Sequence, residues 1–82
     1  MSDEPVRILG IDPGTIRLGY GVIEHVGPGR LKYVECGVIA APAGRERQER
    51  LLEIGRSLRE LVAEVRPHVV AMEEAFFGEN VK

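Results

Sequence analysis

The sequence predicts an α/β fold: a mixed sheet of three antiparallel strands and a parallel fourth, in the order 3-2-1-4, with one crossover helix. Three observations carry this. Apolar runs of strand length occur at Val6 to Asp12, Leu18 to Glu24, Leu31 to Ala40 and His68 to Glu73, bounded by glycine or proline. The first three are joined by short turns, so they run up, down and up. One long amphipathic segment, Arg45 to Arg66, separates the third from the fourth and can return the chain to the start of the sheet.

Each element has its own signal. Val6-Arg7-Ile8-Leu9-Gly10-Ile11-Asp12 is nearly all apolar, as in a strand covered on both faces. Asp12-Pro13-Gly14-Thr15 follows as a turn, because proline presets φ and glycine accepts φ > 0. Leu18 to Glu24 puts Leu18, Tyr20 and Val22 on one face and Gly19, Gly21 and Ile23 on the other. Glycines sharing a strand face suggest close approach by a backbone or a ligand. Gly27-Pro28-Gly29 reads as a hairpin turn, and Leu31 to Ala40 alternates as a half-buried strand.

The helix carries Leu51, Ile54, Leu58, Leu61, Val62 and Val65 in one stripe, with charges opposite. Pro67 ends it, and a helix of this length, about 30 Å, can cross the sheet. A right-handed crossover then sets the fourth strand beside the first.

Length and composition bound the rest. The 82 residues allow one domain at most, with a marginal core by itself. One helix covers one face of the sheet, yet the first strand is apolar on both, and Phe76 and Phe77 end an otherwise unfinished pattern. Residues 1–82 are therefore expected to form the amino-terminal part of a single, incomplete domain, with 1–5 as a flexible leader.

The net charge is −2, with lysine only at Lys32 and Lys82. Any nucleic-acid contact must then come from local clustering rather than bulk charge. The single cysteine, Cys36, excludes an internal disulfide and is expected as a small buried hydrophobe. The leader is acidic and polar, and no apolar stretch approaches membrane-spanning length. The expected setting is soluble and cytoplasmic, with no membrane partner.

The chemistry gathers at two strand ends. Asp12 closes the first apolar run, and Glu73-Glu74 closes the fourth. A carboxylate at the mouth of a buried strand is costly unless something pairs with it. Parallel neighbours about 4.8 Å apart could let two carboxylates share a cation. Which of Glu73 and Glu74 shares the face of Asp12 is left open, because successive residues alternate.

Ile8-Leu9-Gly10-Ile11-Asp12-Pro13-Gly14, Arg17, Gly19-Tyr20-Gly21-Val22-Ile23 and Ala71-Met72-Glu73-Glu74-Ala75-Phe76-Phe77 together resemble the RuvC crossover-junction endodeoxyribonucleases. The resemblance covers the chain from Val6 onward. It implies a ribonuclease-H-like fold and a homodimeric enzyme that resolves four-way (Holliday) DNA junctions in recombination and repair. It also implies a branch-migration helicase complex as partner. Two Mg²⁺ ions, with Mn²⁺ as substitute, are implied between four acids. Asp12 matches the first acid and Glu73 the second, as catalytic metal ligands; this chain has no position for the later two. The aromatic implied to stack on junction bases falls on Phe76, Arg17 is a candidate phosphate contact, and Glu74 receives no catalytic role. With two of four acids, the fragment is expected to be inactive alone.

Plainer readings stand beside these. Asp12 in its turn can cap a backbone amide. Glu73-Glu74 can open a helix. Phe76-Phe77 can be core, and Arg17 a surface ion pair. His25 and His68 lack partners at metal-ligand spacing and are read as structural or exposed. Two other functions compete. One is a nucleotide-binding phosphotransferase of the actin, chaperone and sugar-kinase type, whose first strand also ends in an acid-containing glycine turn. The other is a non-catalytic binding protein of the same fold. A related family of small resolvases shares the Asp-x-Gly-Thr start and is an alternative within the junction-nuclease reading.

Overall fold

The computed structural model describes residues 4–13 and 17–72. Its elements are β1 (Val6–Asp12), β2 (Arg17–Gly27), β3 (Arg30–Ala40), α1 (Arg47–Val65) and β4 (Val69–Met72). The sheet order is β3-β2-β1-β4. β2 pairs antiparallel with both β1 and β3, whereas β4 pairs parallel with β1. The expected topology is therefore present.

One face of the sheet holds the core. Leu9 stands opposite Val22, and Ile11 opposite Tyr20, so these side chains rise from one side. Ile54, Leu61 and Val65 of α1 close over them, with Leu58 and Val62 packed alongside. Leu9 and Val22 are fully buried, each contributing about 1.5–3 kcal/mol by removal from water. Leu51 was expected in this stripe but is 48% exposed, because the helix meets the sheet only from Ile54 onward.

The ends of α1 follow from local chemistry. Its first residue is Arg47 rather than Arg45, and Glu46 precedes it in an extended conformation with no side-chain cap. At the other end Arg66 takes a left-handed conformation, φ 53°, and its N–H donates to the Val62 carbonyl at 2.8 Å. Pro67 cannot extend the helix. The last turn carries no basic residue. Arg7 supplies one from β1: its Nη1 donates to the Val65 carbonyl at 2.9 Å.

Three expectations are not met. β1 was expected to be buried on both faces. Its second face is open instead: among the described residues nothing covers Val6, Ile8, Gly10 and Asp12, and Val6 and Asp12 are exposed. The alternation expected of β3 also breaks. Val22 pairs with Glu35 but Ile23 pairs with Tyr33, so Val34 is the extra residue of a bulge. That residue, and Ile39 five positions on, both reach the core. Cys36 is exposed rather than buried, and accepts a 3.6 Å hydrogen bond from the Tyr33 hydroxyl. That bond, chiefly, pushes the Tyr33 phenol above its ordinary value.

Candidate metal centre

The open face has an ordered plan. Three rows of cross-strand neighbours can be read from the register. Val69, Ile8, Ile23 and Tyr33 form a bulky apolar row. Ala71, Gly10, Gly21 and Cys36 form a row of small side chains. Asp12, Gly19 and Val38 form the third. Asp12 thus stands beside a floor of bare backbone, and an open depression of ≈ 780 Å³ lies over Gly10, Asp12, Gly19, Gly21, Cys36 and Ala71. A Cβ added at Gly19 or Gly21 would meet nothing within 4 Å. The expected close approach is therefore not made by any described residue.

Asp12 is exposed at the carboxyl end of β1. No ion pair or hydrogen bond engages its carboxylate among the described residues. The plainer reading, a carboxylate consumed by capping, thus finds no bond among those residues. A free, hard oxygen donor at the mouth of the sheet is what a divalent cation such as Mg²⁺ would use. No group of three or more His, Cys, Asp or Glu residues gathers for a metal among the described residues. Glu73 and Phe76 lie outside them, as does Glu74.

Arg17 opens β2 opposite Ala40 and is exposed. Counting by twos from Gly19 places it on the face of Asp12. It forms no ion pair among the described residues, so its surface salt-bridge reading has no partner there.

Sequence reasoning missed two pairings on the helix side. Arg7 donates twice to Glu24 Oε2, from Nε at 3.0 Å and Nη2 at 2.7 Å. The signal was present: with Leu9 opposite Val22, antiparallel counting sets Arg7 opposite Glu24. The Tyr20 hydroxyl donates to Glu35 Oε2 at 3.0 Å, and that bond chiefly raises the Tyr20 phenol above its ordinary value. The bulge at Val34 hid this pairing.

Residues 8–82 match the family model described as Crossover junction endodeoxyribonuclease RuvC. The chain belongs to the RuvC family. The Chloroflexus aggregans RuvC is 46% identical over 76 residues, which is 93% of this chain and 46% of the relative. The Roseiflexus RuvC (strain RS-1) is 47% identical over 75 residues, covering 92% of this chain and 44% of the relative. The chain thus spans about half the length of the curated RuvC proteins it matches. The Thermus thermophilus RuvC structure superposes with a TM-score of 0.72 at 34% identity, over 87% of this chain and 46% of that one. This identifies the sheet as ribonuclease-H-like and as part of a larger RuvC fold. An Aquifex aeolicus PPX-GPPA enzyme superposes with a TM-score of 0.63 at 16% identity, over 84% of this chain and 26% of its own, a likeness of fold alone. Membership in the RuvC family decides against the phosphotransferase reading of the first strand and turn. Among the described residues no helix is long and apolar enough to cross a membrane.

Proposed function

We propose that the protein carrying this chain is a divalent-metal-dependent endonuclease that resolves four-way DNA junctions, with Asp12 and Glu73 as metal ligands. One observation supports this most. Ile8, Leu9, Gly10 and Ile11 pair with Val69, Val70, Ala71 and Met72 in one unbroken parallel register. That register carries β4 alongside β1 as far as Met72, the residue before Glu73 in the sequence, toward the end of β1 that carries Asp12. Neighbouring parallel strands at about 4.8 Å allow two carboxylates on one face to share an ion.

Mg²⁺, or Mn²⁺ in its place, would supply an activated water and neutralise charge on the leaving oxygen. The two acids hold and orient; neither is the nucleophile. The glycine floor lets a phosphodiester backbone lie near Asp12 without meeting a side chain. Arg17, on the same face, offers a cation to a neighbouring phosphate. Phe76 is assigned to stacking on a junction base. Two further acids, beyond this chain, complete a two-ion site, so cleavage belongs to the full-length protein. That protein is read as a cytoplasmic homodimer working with a branch-migration helicase complex.

Titration of the full-length protein with Mn²⁺, beside junction cleavage, tests the assignment. Asp12→Asn and Glu73→Gln should each remove binding and lower cleavage on the order of 10²–10³-fold, the scale of several kcal/mol of lost charge stabilisation. Glu74→Gln should stay within a few-fold. An Asp12→Asn isotherm identical to wild type would end the metal reading.

A further inference from the structure

β4 carries almost no information about its own register. Val69, Val70, Ala71 and Met72 are all apolar, and all four are exposed. A slip of one residue would exchange their faces at little hydrophobic cost. Something outside the strand must therefore fix it.

The fixing contact is a reciprocal pair between Arg7 and His68. The His68 N–H donates to the Arg7 carbonyl at 2.8 Å. The Arg7 N–H donates to His68 Nδ1 at 2.9 Å. The imidazole takes the place of a strand carbonyl and adds one rung below the ladder. No adjacent position could do the same. Pro67 has no N–H to give, and Val69 has no side-chain acceptor.

Arg7 is itself held from two other sides. Its guanidinium reaches Glu24 on β2 and the Val65 carbonyl at the end of α1. Only Arg66 and Pro67 lie between that carbonyl and His68. The helix end, the second strand and the fourth strand thus meet at one residue of β1.

We propose that the Arg7–His68 pair is the register lock of β4, and that His68 is a positioning residue for Glu73, the acid that follows β4 in the sequence. The second clause rests on the proposed roles of Asp12 and Glu73; the first does not. The lock acts along the four residues of β4, about 13 Å.

The test reads register directly, in the full-length protein with Cys36→Ser. Gly10→Cys is combined with Ala71→Cys, its partner in the observed register, or with Met72→Cys, the partner after a slip. Neighbouring strands bring such Cα atoms within disulfide range. With His68 present, oxidation should close the 10–71 pair at least tenfold faster than the 10–72 pair. His68→Ala, and His68→Leu as a variant that keeps bulk without an acceptor, should shrink that preference to about threefold or less. His68→Asn should restore it, because its carboxamide oxygen can accept from the Arg7 N–H.

Cleavage, measured with Cys36→Ser as the only other change, should fall in Ala and Leu and recover in Asn. An unchanged preference in both Ala and Leu overturns the lock, whatever the metal titration shows. A preference that follows the acceptor while Asp12→Asn leaves Mn²⁺ binding intact keeps the lock and removes only its link to the metal.

Discussion

The ring of Tyr20 lies over Gly37: a Cβ built on Gly37 would stand 2.8 Å from the phenol oxygen and 3.0 Å from two ring carbons. No real Cβ tolerates that distance, so a side chain at position 37 must displace the ring. Glycine in a strand interior is otherwise a cost of about 0.5–1 kcal/mol, so the ring justifies the residue. Gly37→Ala should therefore destabilise the full-length protein by about 1–2 kcal/mol, the overpacking penalty less the gain in strand propensity. With Tyr20→Ala already present, the same change should become neutral or stabilising. Thermal melts of the four members of that cycle check the sign reversal.

Tyr20 also gives a pH dependence. Its hydroxyl donates to Glu35, and that bond, with burial and the carboxylate charge behind it, raises the phenol above 10.0. A raised folded value means the contribution is fully present below the unfolded value. It is lost as pH climbs through the folded one. Ultraviolet titration should find Tyr20 and Tyr33 both ionising later than the ordinary range, with chiefly the Tyr20 component returning toward it in Glu35→Gln. A Glu35→Gln profile that overlays the wild type would remove the assignment.

How much of this was legible depended on where the pattern was local. Strand order followed from turn lengths and one helix, so it could be read. The shared face of Leu18, Tyr20 and Val22 followed from alternation, and these three meet the core; that of Leu9 did not, because its strand is apolar throughout. Val34 could not be placed, because a bulge adds a residue without any compositional mark. Leu51 fits the helical stripe as well as Ile54 does; only the helix's line across the sheet separates them. Asp12 was legible as a strand-end acid, but its choice between two successive glutamates was not. A two-residue period makes the faces of 73 and 74 depend on a register that only pairing fixes.

Arg7 supplies a stability prediction. It is the half-buried cation that satisfies Glu24 and one carbonyl at the end of α1. The Glu24 side chain is 15% exposed, so removing its partner leaves a charge poorly reached by water. Arg7→Met, which keeps the stem and removes the fork, should cost about 2–3 kcal/mol. Adding Glu24→Gln should recover part of that, because the stranded charge disappears. Denaturant unfolding of both variants measures it. A loss in the double variant as large as in Arg7→Met would mean the charge was never the issue.

Gly19 separates function from stability. It stands opposite Asp12, at an ordinary extended conformation, and an added Cβ would meet nothing within 4 Å. Strand propensity alone then makes Gly19→Val neutral or slightly stabilising, within about 1 kcal/mol. Its isopropyl group would rise from the glycine floor beside the carboxylate, where the proposed phosphodiester has to lie. Junction cleavage by the full-length protein should fall at least tenfold, with the melting temperature held and Mn²⁺ affinity little changed. Gly21→Val, one row away, should do so more weakly. A folded Gly19→Val protein that cleaves at the wild-type rate would move the substrate off this floor.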